Sequence, residues 1–368
     1  MKIVCSKENL SKGVSTVQKA VPTRTTMAIL ECILIDASTN EIKLTANDME
    51  IGIETTIEGT IEERGIIALD AKFFGEIVRS LPDSDVVITS DSSYKTNITC
   101  GKASYDIVGK SGDDFARIPI IPRNDPIIIS QFSLREIIRQ TIFSISVGDS
   151  NKLMTGELFS IKDNVLRVAS LDGHRISIRN LTLNASYEDK KVIVPGKTLN
   201  EISKIISGNT DDMVNIYISE NHIIFDFEST TVVSRLIEGE YFNVDQMLSP
   251  DYNTKMTVNK KELLDCICRA MPLVKEGDKK PIIFDVNDNN IEISLRSTVG
   301  SMNEDIEAVK EGSDIKIAFN PQFFIDALRV IDEEEVYLYM VNSKAPCFVK
   351  NDDESFIYLI LPVNFNQV

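Results

Sequence analysis

The chain has 368 residues, 43% apolar and 26% charged, and a net charge of −17. That length exceeds what one compact core holds and predicts two or three domains. Taken whole, so acidic a balance argues against a nucleic-acid binder, which should be basic.

The six cysteines are scattered, with no C-x-x-C and no histidine at ligand spacing. Reduced thiols are therefore expected, with no metal, no cofactor and no disulfide framework. The opening MKIVCSKENL turns polar at once, so no signal peptide is expected. The longest apolar stretch, 356–363, is too short to span a bilayer. A cytoplasmic protein without membrane contact is the expectation.

In chain order, MKIVCSKENLSKGVSTVQKAV reads as a strand, a polar cap at Ser6 and an amphipathic helix. EIKLTA (41–46) alternates as a strand and leads into a turn at Asp48. From Ala68, ALDAKFFGEIVRSLPDSDVVITSD predicts a strand, a helix, an acidic turn and further strand. The proline-containing connector ARIPIIPRNDP (116–126) closes this plan, and IIISQFSLREIIRQTIF reopens it with a cap expected at Ser133. NVLRVAS, the segment SLDGHRIS and RISIRN then predict a hairpin. The second helix of this unit follows in IVPGKTLNEISKIISGNTDDMVNIYISE, from Ile193, and His222 falls at a hairpin-like tip in SENHIIFDF. After LSPDYNT (248–254), KMTVNKKELLDCICRAM opens a third unit capped at Asn259. NIEISLRS and IAFNPQFFIDALRVIDEEEVYLYMV, from Ile317, complete it.

The three units are copies of one plan. Lys72, Lys197 and Gln322 lie in register at a constant offset of 125 residues. Phe74, Ile77, Val78 and Leu81 correspond to Leu199, Ile202, Ser203 and Ile206, then to Phe324, Ala327, Leu328 and Ile331. Spacings of three and four describe a helix that buries one stripe. The prediction is an α+β fold of three repeated domains (1–122, 127–250 and 253–368), each with two helices packed on antiparallel sheets.

Basic residues recur seven apart on the second helices: Lys72 and Arg79, then Lys197 and Lys204. Two turns separate them, so each pair shares a face. The helical segments 6–20, 70–81, 133–142, 197–206, 259–271 and 321–331 together carry +5, against −17 for the whole chain. On any one helix, solvated pairs such as Lys72/Glu76 and Lys197/Glu201 account for this pattern. Recurrence through the repeats points instead to a thin basic stripe that tolerates a phosphate backbone without reading bases.

Asp172, Gly173, His174 and Arg175 invite a catalytic reading, but no nucleophile elbow, phosphate loop or H-E-x-x-H accompanies them. The paired carboxylates at 62–63, 113–114, 333–335 and 352–354 lie in turn-like charge runs and read as solvated surface. Asp-Gly between two strands is foremost a hairpin turn, with Gly173 free to take a positive φ. The first unit keeps the aspartate as Asp48 but lacks Gly-His-Arg, so those three residues are particular to the middle unit.

Together the three-unit plan, PTRTTMAIL, KFFGEIVRSLP, ASLDGHRI, VIVPGKTLNEI and the terminal YLILPV resemble the bacterial DNA polymerase III β sliding clamps from end to end. The resemblance implies a head-to-tail homodimeric ring around duplex DNA, held by topology and without enzymatic activity. It would tether the polymerase III catalytic subunit, other polymerases and repair proteins, and a clamp loader would open it. DNA contacts are implied at Arg24, Lys152 and Lys197, beside the basic-stripe residues Arg79 and Lys204. Ring closure would join Lys102, Tyr105 and Ile107 to Leu273, Glu304, Asp305 and Glu307. A client-peptide groove would comprise Met154, Leu171, Gly173, His174, Arg175, Ile176, Phe242, Met247, Leu361, Pro362 and Val363. Phe242 stands where the family usually has proline and Gln246 where it has arginine, and the terminal LPVNFNQV lacks the usual arginine-leucine. Two other classes remain open: a peptide-binding scaffold that does not encircle DNA, and a hydrolase using paired carboxylates.

Overall fold

The computed structural model describes residues 1–148, 151–248, 251–274 and 280–364. Residues 249 and 250 of the second connector, and the last four of the terminal segment, lie outside them. Among the described residues six α-helices form: α1 (Lys7–Val17), α2 (Ala71–Ser80), α3 (Gln131–Thr141), α4 (Gly196–Ile205), α5 (Lys260–Ala270) and α6 (Pro321–Val330). The starts of α2, α4 and α6 keep the 125-residue offset read from the sequence.

Local chemistry explains where most helices begin. Ser6 Oγ accepts from the Asn9 amide at 3.1 Å, Asp70 Oδ1 from Lys72 and Phe73, and Asn259 Oδ1 from Glu262. Asn320 caps α6, whose first residue is Pro321, a position where the missing N–H has no partner to lose. At α3 the expected cap is displaced. Ser130 Oγ accepts from the Ser133 amide at 3.0 Å, so the helix begins at Gln131 and Ser133 lies inside it. Two serines three apart both fit the cap pattern, and the strand 127–130 ends at the first.

Contacts gather the chain into two compact units, Met1–Arg135 with Lys197–Leu236, and Glu136–Gly196 with Ile237–Val368. The first holds a five-stranded sheet in the order 60–63, 2–6, 85–90, 95–100, 103–108. Its nine-stranded sheet joins repeats, because Ile51–Ile57 pairs antiparallel with Thr230–Arg235. The Thr55 and Thr230 hydroxyls meet across that seam at 2.8 Å. In the second unit the long hairpin of Gly156–Leu171 and Arg175–Pro195 continues through Phe356–Ile360 into a ten-stranded sheet. Repeat boundaries and sheet boundaries therefore do not coincide: strand pairing satisfies the edges that a single repeat would leave bare.

Each repeat buries its helices as the periodicity requires. In the second unit, α5 and α6 pack on a core where Phe284, Phe319 and Phe324 meet with ring centroids 4.9–5.5 Å apart. The cysteines are free thiols, five of the six being buried. Cys266 is buried and Cys268 only half so, as residues two apart on a helix should be. No helix among the described residues is long and apolar enough to cross a membrane.

Candidate functional site

The SLDGHRIS segment forms the predicted hairpin turn. Leu171 pairs with Ile176, and Gly173 takes φ +84°. Asp172 Oδ1 accepts from the amides of His174 and Arg175 at 3.0 and 3.1 Å, which fixes the turn from one side chain. The first repeat builds the same turn on Asp48, whose Oδ1 accepts from Glu50 and Ile51 at 2.9 and 2.7 Å. There Met49 occupies the left-handed position that glycine holds in the middle repeat, at φ +75°.

Beside the 171–176 turn lies a cavity of about 410 Å³. Met154, Leu171, Gly173, Arg175, Ile176, Phe242, Met247 and Leu361 line it, together with Pro346 and Leu359, which sequence reasoning missed. Leu359 carried a signal: it is two residues before Leu361, which directly follows the strand Phe356–Ile360, and so shares its face. Pro346 carried none, since it arrives through pairing of the strands 347–350 and 356–360. Leu171, Ile176 and Leu359 form a buried floor, while Met247 is 43% exposed. Tyr241 meets Phe242 edge-on at 5.8 Å behind it. A flexible thioether over aliphatic walls suits one apolar side chain from a partner.

Three of the expected groove residues lie elsewhere. His174 turns away from the cavity and stacks on Phe323, centroids 6.1 Å apart, because neighbouring residues of a turn point to opposite sides. Pro362 and Val363 leave it as the chain runs past, the Val363 amide donating to the Ala318 carbonyl at 2.8 Å. Arg175 lines the cavity with its stem, but its guanidinium is spent on Asp172, Asp326 and the Phe143 carbonyl.

On the first strand of the same hairpin, at the end far from the turn, Glu157 is fully buried and neither carboxylate oxygen has a hydrogen-bond partner. Burial raises its pKa to about 8, and the nearby Thr141 hydroxyl offsets only part of that.

The basic residues sit on exposed positions: Arg24 in a loop, Arg79 on α2, Lys152 in a short turn, Lys197 and Lys204 on α4. The Lys197/Glu201 pair assumed from spacing is replaced. Lys197 pairs with Asp48, and Glu201 takes Lys204 at 2.8 Å instead. One carboxylate thus anchors both a turn and the lysine.

Ala103–Val108, with Tyr105 and Ile107, is the outer strand of the five-stranded sheet, and Lys102 precedes it. In the second unit, 301–307 pairs only with 290–296, leaving its other edge without a strand among the described residues. Glu304 on that edge is already bound by Arg269, the Nε to Oε2 distance being 2.9 Å, and Asp305 accepts from Asn290. Glu307 is exposed there, and Leu273 is half-buried against the third-repeat core.

Comparison with known proteins accounts for the whole plan. Family models described as the N-terminal, central and C-terminal domains of the DNA polymerase III beta subunit match residues 1–119, 128–243 and 245–364. A beta sliding clamp of Staphylococcus aureus is 34% identical over 356 residues, 94% of each chain. The crystal structure of a DNA polymerase III beta subunit from Eubacterium rectale shares 70% identity and a TM-score of 0.97, covering 99% of this chain and 100% of that one. The sliding clamp of Bacillus subtilis shares 33% identity and a TM-score of 0.96, covering 99% of each. Three models tiling the chain in order, over a fold that superposes along its full length, leave one conclusion: the chain belongs to the DNA polymerase III beta subunit family, the bacterial beta sliding clamps.

Proposed function

We propose that the chain acts as half of a homodimeric ring that encircles duplex DNA and holds DNA-processing enzymes through the cavity at the 171–176 turn. The processivity function is that of the family, which is a non-enzymatic scaffold. The site assignments are our reading. In it, three clamp domains span 1–122, 127–250 and 253–368. Arg24, Arg79, Lys152, Lys197 and Lys204 face the phosphates, and the free edges at 103–108 and 301–307 join between protomers with Lys102 and Glu307 of opposite sign at the seam. The polymerase catalytic subunit, repair proteins and a clamp loader are the partners, and the cytoplasm the place of work. The groove reading rests chiefly on one observation: an apolar cavity with a buried floor and a flexible methionine at its mouth.

Loading on a nicked circle with a cognate loader, followed by rising salt, tests the reading. Retention on the closed circle at salt that strips charge-held binders, with loss after the circle is cut, is expected. Release from circular and linear DNA at the same salt would overturn it.

A further inference from the structure

The turn at Asp48 and the turn at Asp172 are one structure built twice, and the strands beside them repeat as well. Gly52 pairs with Val233 as Ile176 pairs with Leu359. Two residues along each strand, Arg235 corresponds to Leu361, and His222, which pairs with Arg235, corresponds to Pro346, next to the Cys347–Ile360 pair. Gly52 from the first repeat, with His222, Val233 and Arg235 from the second, lines a second cavity, of about 300 Å³, closed by connector residues Arg117, Ile118 and Pro119 as Phe242 and Met247 close the groove.

What fills the two cavities differs. Ile176 supplies part of the groove floor. At Gly52 that side chain is gone and Ile118 takes its space: a Cβ on residue 52 would lie 2.6 Å from Ile118 Cγ1. The Asn47 amide donates to the Ala116 carbonyl at 3.0 Å and fastens the connector there. The chain has thus plugged the apolar end itself, while Arg117 and Arg235 stand exposed in the same lining. Neither guanidinium is held by an acid among the described residues. Glu50 is the only carboxylate in the lining, and His222 has its pKa lowered, first by burial and then by Arg235. Positive charge therefore outweighs negative at neutral pH, on a chain that is −17 overall.

We propose that this cavity is a second peptide site, for a segment presenting an aspartate or glutamate beside an aliphatic residue. The carboxylate lies between Arg117 and Arg235, and the aliphatic side chain packs on Val233, Met49 and Pro119. A nucleic-acid phosphate would satisfy the arginines but leave that apolar wall unused. The proposal leans on the groove reading for its repeat logic, yet the two cavities have no residue in common, so each fails or stands by itself.

The test titrates a fluorescein-labelled, C-terminally amidated Asp-Ile-Asp-Leu peptide onto the full-length protein. Saturable binding is expected, weakened about tenfold or more in the Arg117→Ala/Arg235→Ala double variant and unchanged in Met247→Ala. The Asn-Ile-Asn-Leu counterpart should bind about tenfold more weakly, which separates charge from shape. Both arginines are exposed, and an unaltered unfolding midpoint certifies the double variant. Absent binding, binding indifferent to the arginines, binding lost in Met247→Ala, or equal displacement by inorganic phosphate would each overturn the proposal. Loss of an apolar client peptide from Met247→Ala reports on the other groove alone.

Discussion

Arg175 donates to Asp326 Oδ2 at 2.6 Å across 151 residues of sequence. The same guanidinium donates from Nε to Asp172 at 2.9 Å and to the Phe143 carbonyl at 2.6 Å, and it lies 4.6 Å from the Phe323 ring centroid. Its side chain is 11% exposed, so this arginine is a clamp between α6 and the turn rather than a free hand for a peptide.

Arg175→Ala should therefore act first on stability. It leaves two carboxylates partly buried and unpaired, a loss on the order of 3 kcal/mol. Urea unfolding of the full chain checks this. An unchanged midpoint would show the clamp to be idle, and a peptide-binding loss in this variant says nothing about direct contact.

Phe242→Ala and Met247→Ala test the groove more cleanly, because both side chains line the cavity and neither is in the buried core. Each should weaken an apolar client peptide about tenfold, the worth of roughly 1.4 kcal/mol. Mass in solution should remain twice 41.1 kDa. Undiminished affinity in both variants would remove the groove assignment.

Glu157 makes stability depend on pH in a direction opposite to that of most carboxylates. Its pKa rises on folding from 4.5 to about 8, so the native state holds a proton that the unfolded state has already released. Its contribution is full below pH 4.5, declines as pH rises towards 8, and changes no further above that. Glu157→Gln keeps the neutral shape at every pH. The variant should match the parent near pH 4.5 and exceed it by on the order of 4 kcal/mol at pH 8, read from paired unfolding curves. Parallel curves at all pH values would refute a protonated Glu157.

Lys197→Ala should lower the salt slope of linear-duplex binding by about one counterion and leave retention on closed circles almost intact. Asp48→Ala removes the acceptor of two turn amides, so it should cost about 1 kcal/mol of stability while freeing Lys197. If Lys197→Ala leaves the linear-DNA slope unchanged, the lysine does not meet phosphate.

The legible parts of this protein are those written in short range. Capping at Ser6 and Asn259, the Asp-Gly turn and the buried stripes of α2, α4 and α6 all follow from residues within a few positions of one another. Even the Ser133 error was local, a choice between two serines three apart. The groove was half legible: the turn, Phe242 and Leu361 could be placed by resemblance, whereas Pro346 could not, because a strand register brings it in.

The sequence by itself determined three copies of one helix-and-strand plan and their turns, since each depends on periodicity or on a side chain reaching its own backbone. Tertiary structure alone decided which copy stays open. Ile118 enters one repeat because position 52 lacks a side chain, Asp326 engages the guanidinium of Arg175 in the wall of the other cavity, and Phe323 takes His174. Those outcomes belong to packing, where atoms distant in the chain compete for the same few ångströms, and no local pattern ranks the competitors.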